Sequence, residues 1–79
     1  MKKILVIGSN GQLGIELLTA LRDKFGSKNV ISSDINAPSN ADTYFEKLDA
    51  RDAISLTSIV EKHEINHVYH LAAILSANG

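Results

Sequence analysis

A chain of 79 residues is long enough for one small domain at most. It contains no cysteine, so neither disulfides nor cysteine-based metal clusters can stabilise that domain. The hydrophobic fraction of 44% is that of a folded chain, not of a disordered one. The formal net charge is -1 at pH 7 and no basic block occurs, so the composition predicts no nucleic-acid partner and no binding to an anionic membrane surface.

The N-terminus begins with two lysines and an apolar run, as a signal peptide does. The run ends at Ser9, which is too short for the hydrophobic region of a signal peptide. Nowhere does an apolar stretch approach the length of a transmembrane helix. We therefore expect a cytoplasmic protein, in line with the absence of cysteine.

The first half of the chain follows a strand–helix–strand pattern. Residues 4–7 form a continuous apolar run, typical of a strand that is buried on both faces. Apolar residues at spacings of three and four predict a helix over Gln12–Phe25, with Gly26 as its stop. Residues 30–33 form a second, less apolar strand, which Asp34 closes.

The second half repeats this alternation with one difference, a loop in place of a helix. Turn-forming residues over 36–40 predict that loop, and residues 44–48 predict a third strand. Asp52 is a good N-cap for a helix over Ala53–His63, in which Ile54 and its apolar neighbours would face the core. Residues 68–73 then form a fourth strand.

The element order β-α-β-β-α-β predicts an α/β fold with a parallel sheet and right-handed crossovers. We expect a partial Rossmann fold of about four strands, in the order 3-2-1-4, with flanking helices. The loop between the second and third strands departs from the simplest βαβ repeat.

Three glycines stand at G-x-x-G-x-x-G spacing where the first strand turns into the first helix. A pyrophosphate needs bare backbone N–H groups and a helix N-terminus directed at it. Gly8 would permit the tight turn, Gly11 would leave room for the phosphate, and Gly14 would let helix and strand pack closely. The backbone of Gln12 and Leu13 completes this predicted site. The same glycines could instead serve only a turn and a packing contact.

Asp34 follows Gly14 by twenty residues, at the end of the second strand. A carboxylate there accepts hydrogen bonds from both hydroxyls of an adenosine ribose, with Ile35 beside it. It also repels a 2′-phosphate, and no arginine occurs over residues 35–37, so the sequence predicts NAD as the cofactor in preference to NADP. An Asx turn is the purely structural alternative for this aspartate.

The glycine segment resembles that of the extended short-chain dehydrogenases/reductases, the group that includes NAD-dependent epimerases and dehydratases. The segment over residues 48–52 resembles the one whose first aspartate contacts adenine in that family. This resemblance implies that Asp49 binds adenine, with Ala50 nearby through its backbone. A capping or loop carboxylate is the alternative role for Asp49.

The segment that begins at His70 resembles the fourth-strand motif of the same family, which lies along the cofactor. The resemblance implies that Leu71, Ala72 and Ala73 line the cofactor. Core packing is the alternative for these three residues.

Three segments, residues 11–17, 25–35 and 73–77, resemble short-chain L-threonine 3-dehydrogenases. These enzymes of threonine catabolism oxidise the 3-hydroxyl of threonine and transfer a hydride to NAD. The resemblance implies that Ser76 helps to hold the substrate, and that a longer parent chain is a homodimer. Sugar-nucleotide epimerases and dehydratases share the glycine motif, the aspartate and the fourth-strand motif, and are the nearest alternative.

The Tyr-x-x-x-Lys pair of this family, whose tyrosine takes the substrate proton, has no match in the chain. Tyr44 is followed by Lys47, one residue too near, and no lysine follows Tyr69. We therefore expect residues 1–79 to be the N-terminal part of an NAD-binding domain without catalytic residues. A small-molecule substrate would bind only in a longer parent. The alternative is a non-catalytic dinucleotide-binding module.

His63-Glu64-Ile-Asn-His67 matches H-E-x-x-H, the motif of zinc metalloproteases. That chemistry needs both histidines on one face of a continuous helix. Asn66 and the β-branched and aromatic residues after it indicate that the helix ends before His67. We therefore expect no metal site here.

Overall fold

The computed structural model describes residues 2–40 and 43–71. Within these ranges the chain forms four strands, two α-helices and one short 3₁₀ helix. In chain order they are β1 (Ile4–Ile7), α1 (Gln12–Phe25), the 3₁₀ helix Ser27–Asn29, β2 (Val30–Asp34), β3 (Phe45–Lys47), α2 (Ala53–His63) and β4 (His67–His70).

The described strands form one parallel sheet in the order β3-β2-β1-β4. Ile4 of β1 lies opposite Val30 on one side and His67 on the other, and Ser32 of β2 lies opposite Phe45. This confirms the predicted α/β class, the parallel sheet and the strand order. The loop between β2 and β3 also connects parallel neighbours, as predicted.

The central strand β1 is buried on both faces because each helix covers one of them. Ile4 and Val6 pack into the apolar cluster beneath α1, with Leu21. Leu5 and Ile7 pack into the opposite cluster, with Ile59 of α2. These alternating contacts explain why the apolar run over β1 is continuous.

Both helices begin and end at the predicted residues. Gly26 ends α1 with a φ of 89°, a conformation that favours glycine. Asp52 caps α2 and accepts a hydrogen bond from the backbone N–H of Ser55. Glu64 then ends α2 in the left-handed region, with a φ of 54°.

The predicted boundaries of three strands were wrong by one or more residues. β2 extends to Asp34, which lies opposite Lys47. β3 is shorter than residues 44–48, although the residues that flank it still bond to β2: Ser32 donates to the carbonyl of Tyr44, and the N–H of Leu48 donates to the carbonyl of Asp34. The fourth strand begins at His67, one residue earlier than predicted, and ends at His70.

The fourth strand starts early because the backbone N–H of His67 already donates to the carbonyl of Lys3. Leu71 follows the strand, and residues 72–73 lie outside the described residues.

One apolar residue in the first turn of each helix is exposed. Ile54 of α2 is 85% exposed and does not face the core, contrary to the prediction. Leu13 of α1 is 49% exposed, whereas the later apolar residues of that helix, Leu17, Leu18, Leu21 and Phe25, contact the core. Both exceptions lie in first turns, at the ends of the helices that adjoin the glycine segment and the loop after β3.

Candidate functional site

The candidate site lies at the carboxyl ends of β1 and β2, where the chain turns into α1. We call residues 8–14 the glycine turn. The N–H groups of Gly8 and Ser9 both donate to the carbonyl of Ser33, at 2.9 and 3.0 Å, and attach the turn to β2. Gly8 has a φ of 87°, which side-chain-bearing residues rarely adopt. Glycine is therefore required at the start of this turn.

Gly14 is required for a different reason, the close contact between α1 and the glycine turn. A Cβ at this position would lie 2.7 Å from the carbonyl oxygen of Gly8 and from the Cα of Ser9. Both atoms belong to the backbone, so neither can move aside cheaply. The close packing predicted for Gly14 is thus present.

Gly11 differs from the other two glycines because the fold does not require it. It is the N-cap of α1 with a φ of −74°, and a Cβ there would meet no protein atom within 4 Å. The first intrahelical bond runs from Ile15 to the Gly11 carbonyl, so the N–H groups of residues 12–14 precede the bonded part of the helix. An open space thus adjoins the positive end of the helix dipole, which suits an anion.

The other two predicted residues of the glycine turn lie at the start of α1. The side chain of Gln12 donates to the Glu16 carboxylate along the helix, at 3.3 Å. Leu13 lies in the first helical turn, and its side chain is exposed.

Asp34 connects the end of β2 to the glycine turn. Its Oδ2 accepts from the N–H of Asn10 at 2.9 Å, and its Oδ1 accepts from the N–H of Ile35 at 2.7 Å. Neither bond is that of an Asx turn, which would use the N–H two residues further on. Each carboxylate oxygen keeps one further acceptor position, which matches the two hydroxyls of a ribose.

Asn10 makes a second connection between the same two segments. Its side-chain amide donates to the carbonyl of Asn36, at 2.7 Å. The backbone of Asn10 therefore joins the glycine turn to the end of β2, and its side chain joins the turn to the start of the β2–β3 loop.

A cavity of about 230 Å³ opens beside Asp34. Its walls come from three separate segments, namely the glycine turn, the end of β2 and the turn after β3. The lining residues are Ile7, Gly8, Asp34, Ile35, Leu48, Asp49 and Ala50. The structure thus brings together five residues that the sequence assigned to one site from distant positions: Gly8, Asp34, Ile35, Asp49 and Ala50.

The cavity combines apolar walls with two carboxylates. Of its apolar lining residues, Leu48 is buried and Ile35 is 49% exposed. A flat apolar ring with polar atoms at its rim fits such walls.

Arg51 holds the second carboxylate of the cavity, an arrangement that sequence reasoning missed. Its guanidinium donates to both oxygens of Asp49, at 3.1 and 2.8 Å, and its backbone N–H donates to Oδ1 at 2.9 Å. The side-chain hydrogen bonds from Arg51 lower the pKa of Asp49 to about 2. The i, i+2 spacing of aspartate and arginine was the only signal, and such spacings are common in solvated turns.

A second cavity, of about 280 Å³, lies on the α1 face of the sheet and shares Ser9 and Asn10 with the glycine turn. Its polar side chains bond to backbone carbonyls: Thr19 to Ile15 at 2.9 Å, and Ser32 to Tyr44 at 3.4 Å. We therefore place the candidate site at the smaller cavity, where two carboxylates meet the glycine turn.

The remaining predicted residues lie elsewhere. The side chain of Leu71 is buried in the cluster beneath α1, not at the cavity beside Asp34. The positions predicted for Ala72, Ala73 and Ser76 lie outside the described residues.

The H-E-x-x-H segment is divided between two elements. His63 ends α2, and His67 begins β4, so the helix ends before His67 as predicted. His63 contacts the carboxylate of Glu46 on β3 at 2.6 Å, and Lys62 bonds to the same oxygen at 2.9 Å. The hydrogen bond from His63, and then that from Lys62, lower the pKa of Glu46. This cluster fastens α2 to β3.

Over residues 2–40 and 43–71, no three histidine, aspartate or glutamate side chains are arranged to hold a metal ion. In the same ranges, neither helix has the length and apolar character needed to cross a membrane.

A family model, the NAD dependent epimerase/dehydratase family, matches residues 4–79. An uncharacterized epimerase/dehydratase of Staphylococcus saprophyticus is 37% identical over 83 aligned residues, which span 100% of this chain and 26% of that protein. A similarly described protein of Staphylococcus aureus is 39% identical over 84 residues. The chain thus spans about a quarter of the length of these relatives.

Solved structures of two L-threonine dehydrogenases are similar to this chain. The Trypanosoma brucei L-threonine 3-dehydrogenase superimposes with a TM-score of 0.82 and 36% identity, over 89% of this chain and 23% of that one. The GalE-like enzyme of Cupriavidus necator, in its holo form, gives a TM-score of 0.79 and 44% identity, over 87% and 23%.

Proposed function

The chain belongs to the NAD dependent epimerase/dehydratase family, and we propose that it is the N-terminal, NAD-binding part of an oxidoreductase. One observation carries this proposal. The glycine turn, the end of β2 and the turn after β3 surround one cavity with the residue types that a dinucleotide requires. The space in front of Gly11, which no protein atom occupies within 4 Å of a Cβ position, fits a pyrophosphate.

Each part of the dinucleotide has a corresponding group in this chain. The N–H groups at the start of α1, at Gln12 and Leu13, would bind the pyrophosphate oxygens. Asp34 would accept from the ribose hydroxyls, and Asp49 from the adenine amine. When bound, NAD supplies the acceptor for a hydride, and the described residues of this chain bind and orient it.

Selection of NAD over NADP follows from the charge at Asp34. A 2′-phosphate would approach a carboxylate whose position two backbone N–H groups fix, and residues 35–37 offer no arginine to compensate it. The contact between Asn10 and Asn36 further closes this side of the site.

We further propose that the parent enzyme is similar in substrate to L-threonine 3-dehydrogenases. Identities of 36% and 44% with two such enzymes support this. In a longer parent, Ser76 would contact threonine and a later Tyr-x-x-x-Lys would take the proton of its 3-hydroxyl. A cytoplasmic homodimer that degrades threonine is the corresponding expectation.

A second candidate is the N-terminal part of a sugar-nucleotide epimerase or dehydratase. The description of the staphylococcal relatives as epimerase/dehydratases favours it. Assays of the longer parent distinguish the two, because only a threonine dehydrogenase reduces NAD in the presence of threonine.

Binding is tested on the 79-residue chain itself, ¹⁵N-labelled and titrated with NAD and with NADP. We expect dispersed amide signals, with shifts at the glycine turn and at Ile35 that saturate with NAD at lower concentration than with NADP. Asp34→Ala should weaken NAD binding and reduce the difference between the cofactors. Dispersed signals that do not move with NAD would refute the proposal.

A further inference from the structure

We propose that Arg51 is a positioning residue for base recognition: its guanidinium fixes the Asp49 carboxylate so that it selects a purine with an exocyclic amine. This inference rests on the proposed dinucleotide site. It adds to that site a residue that does not line the cavity and acts through one that does.

The geometry of the pair is that of a held carboxylate. Nε of Arg51 donates to Oδ1 of Asp49 at 3.1 Å, and Nη2 donates to Oδ2 at 2.8 Å. This is the two-point fork that only a guanidinium provides. The carboxylate plane therefore has one preferred orientation, where a free aspartate would rotate about χ2.

A count of acceptor positions shows what remains for a ligand. A carboxylate has roughly four lone-pair positions, and hydrogen bonds from Arg51 occupy three of them. The remaining position is on Oδ2. An aspartate carboxylate is ionised at neutral pH, and Arg51 lowers the pKa of Asp49 further, to about 2, so this oxygen is only an acceptor. An adenine amine satisfies it, whereas the carbonyl oxygen of hypoxanthine would be repelled.

The ordinary interpretation is a solvated ion pair that shapes the turn. Arg51 is 87% exposed, and exposed ion pairs contribute little to stability. The turn itself needs only the bond from the Arg51 backbone N–H to Oδ1, which any residue other than proline can make. The two guanidinium bonds are surplus to the turn, so Arg51→Ala removes them without removing the turn.

The experiment measures Kd for NAD and for nicotinamide hypoxanthine dinucleotide, which lacks the amine, on the full chain and its variants. We expect Arg51→Ala to weaken NAD binding roughly 3- to 10-fold, the effect of about one hydrogen bond. Binding of the hypoxanthine dinucleotide should change less than about 2-fold. Arg51→Lys should not restore the preference, because an ammonium lacks the fork. Arg51→Ala in an Asp49→Ala background should add no further loss of NAD affinity.

Lys28→Ala is the matched control, since it removes one exposed positive charge at the opposite end of β2. Equal weakening with both dinucleotides would overturn the inference in favour of a general charge effect. Unchanged or tighter NAD binding by Arg51→Ala would overturn it as well. If the unsubstituted chain binds no NAD, the proposed function fails, and this inference fails with it.

Discussion

The two turns that form the candidate site are held in opposite ways. The glycine turn is fixed by bonds to β2 and to the start of the loop after it, which span 24 to 26 residues of sequence. The turn over residues 48–52, which we call the acidic turn, is held mainly by local bonds, from Arg51 to Asp49 and from Ser55 to Asp52. A longer bond, from the N–H of Leu48 to the carbonyl of Asp34, connects it to β2. Long-range hydrogen bonds thus position the glycine turn, whereas local hydrogen bonds and the buried side chain of Leu48 position the acidic turn.

Leu48→Ala should have the largest effect, because that side chain anchors the acidic turn in the cluster beneath α2. A buried leucine replaced by alanine costs about 2–5 kcal/mol in the free energy of unfolding. Urea denaturation measures it, with Leu48→Met as the control that should lose less than about 1.5 kcal/mol. Equal losses in the two variants would show that packing at this position is not what holds the turn.

Gly14→Ala is the corresponding change in the glycine turn. The new methyl group would meet backbone atoms of Gly8 and Ser9 at 2.7 Å, so we expect a loss of about 1–3 kcal/mol from overpacking. The same substitution at Gly11, where a Cβ meets open space, is the matched control and should cost less. If both variants melt at the same denaturant concentration, the close contact at Gly14 does not constrain the turn.

The difference between the turns also explains what the sequence could predict. Spacing carried the information about the glycine turn: glycines at fixed intervals and an aspartate at the end of the next strand predicted its position and its neighbour. The helix ends were predictable because Gly26 and Asp52 are residues with a specific capping chemistry. The strand order followed from the alternation of elements.

Other features depend on three-dimensional neighbours and left no such signal. The contact of Asn10 with Asp34 and Asn36 is set by how two loops meet. Periodicity placed Ile54 in the core, whereas its side chain, in the first turn of α2, is exposed in the structure. Glu46 was unremarkable in sequence, yet it receives two side chains from the end of α2.

Gly11→Ser separates folding from binding in the glycine turn. Serine is a favoured N-cap, so the free energy of unfolding should stay within about 1 kcal/mol of the unsubstituted value or increase. The hydroxymethyl group would occupy the space proposed for the pyrophosphate, and NAD affinity should fall by at least about tenfold. Denaturation and the NAD titration are measured on the same sample. Retained affinity would mean that the phosphate does not approach Gly11.

The smallest expected effect is a loss of stability at low pH, and it tests whether the Glu46 cluster helps to hold β3 against α2. The pKa of Glu46 is lowered in the folded state from its ordinary 4.5, chiefly by the hydrogen bond from His63 and then by Lys62. A carboxylate whose pKa is lower in the folded than in the unfolded state stabilises the fold above pH 4.5. This contribution is lost as the pH falls from about 4.5 through the folded pKa.

Glu46→Gln removes the titrating group and is compared with the unsubstituted chain. The difference in their free energies of unfolding should shrink as the pH falls below about 4.5 and be constant above it. Because the cluster is partly solvated, the change should be small. A difference that stays constant from neutral pH down to pH 3 would show that the titration of Glu46 contributes nothing to the stability of the fold.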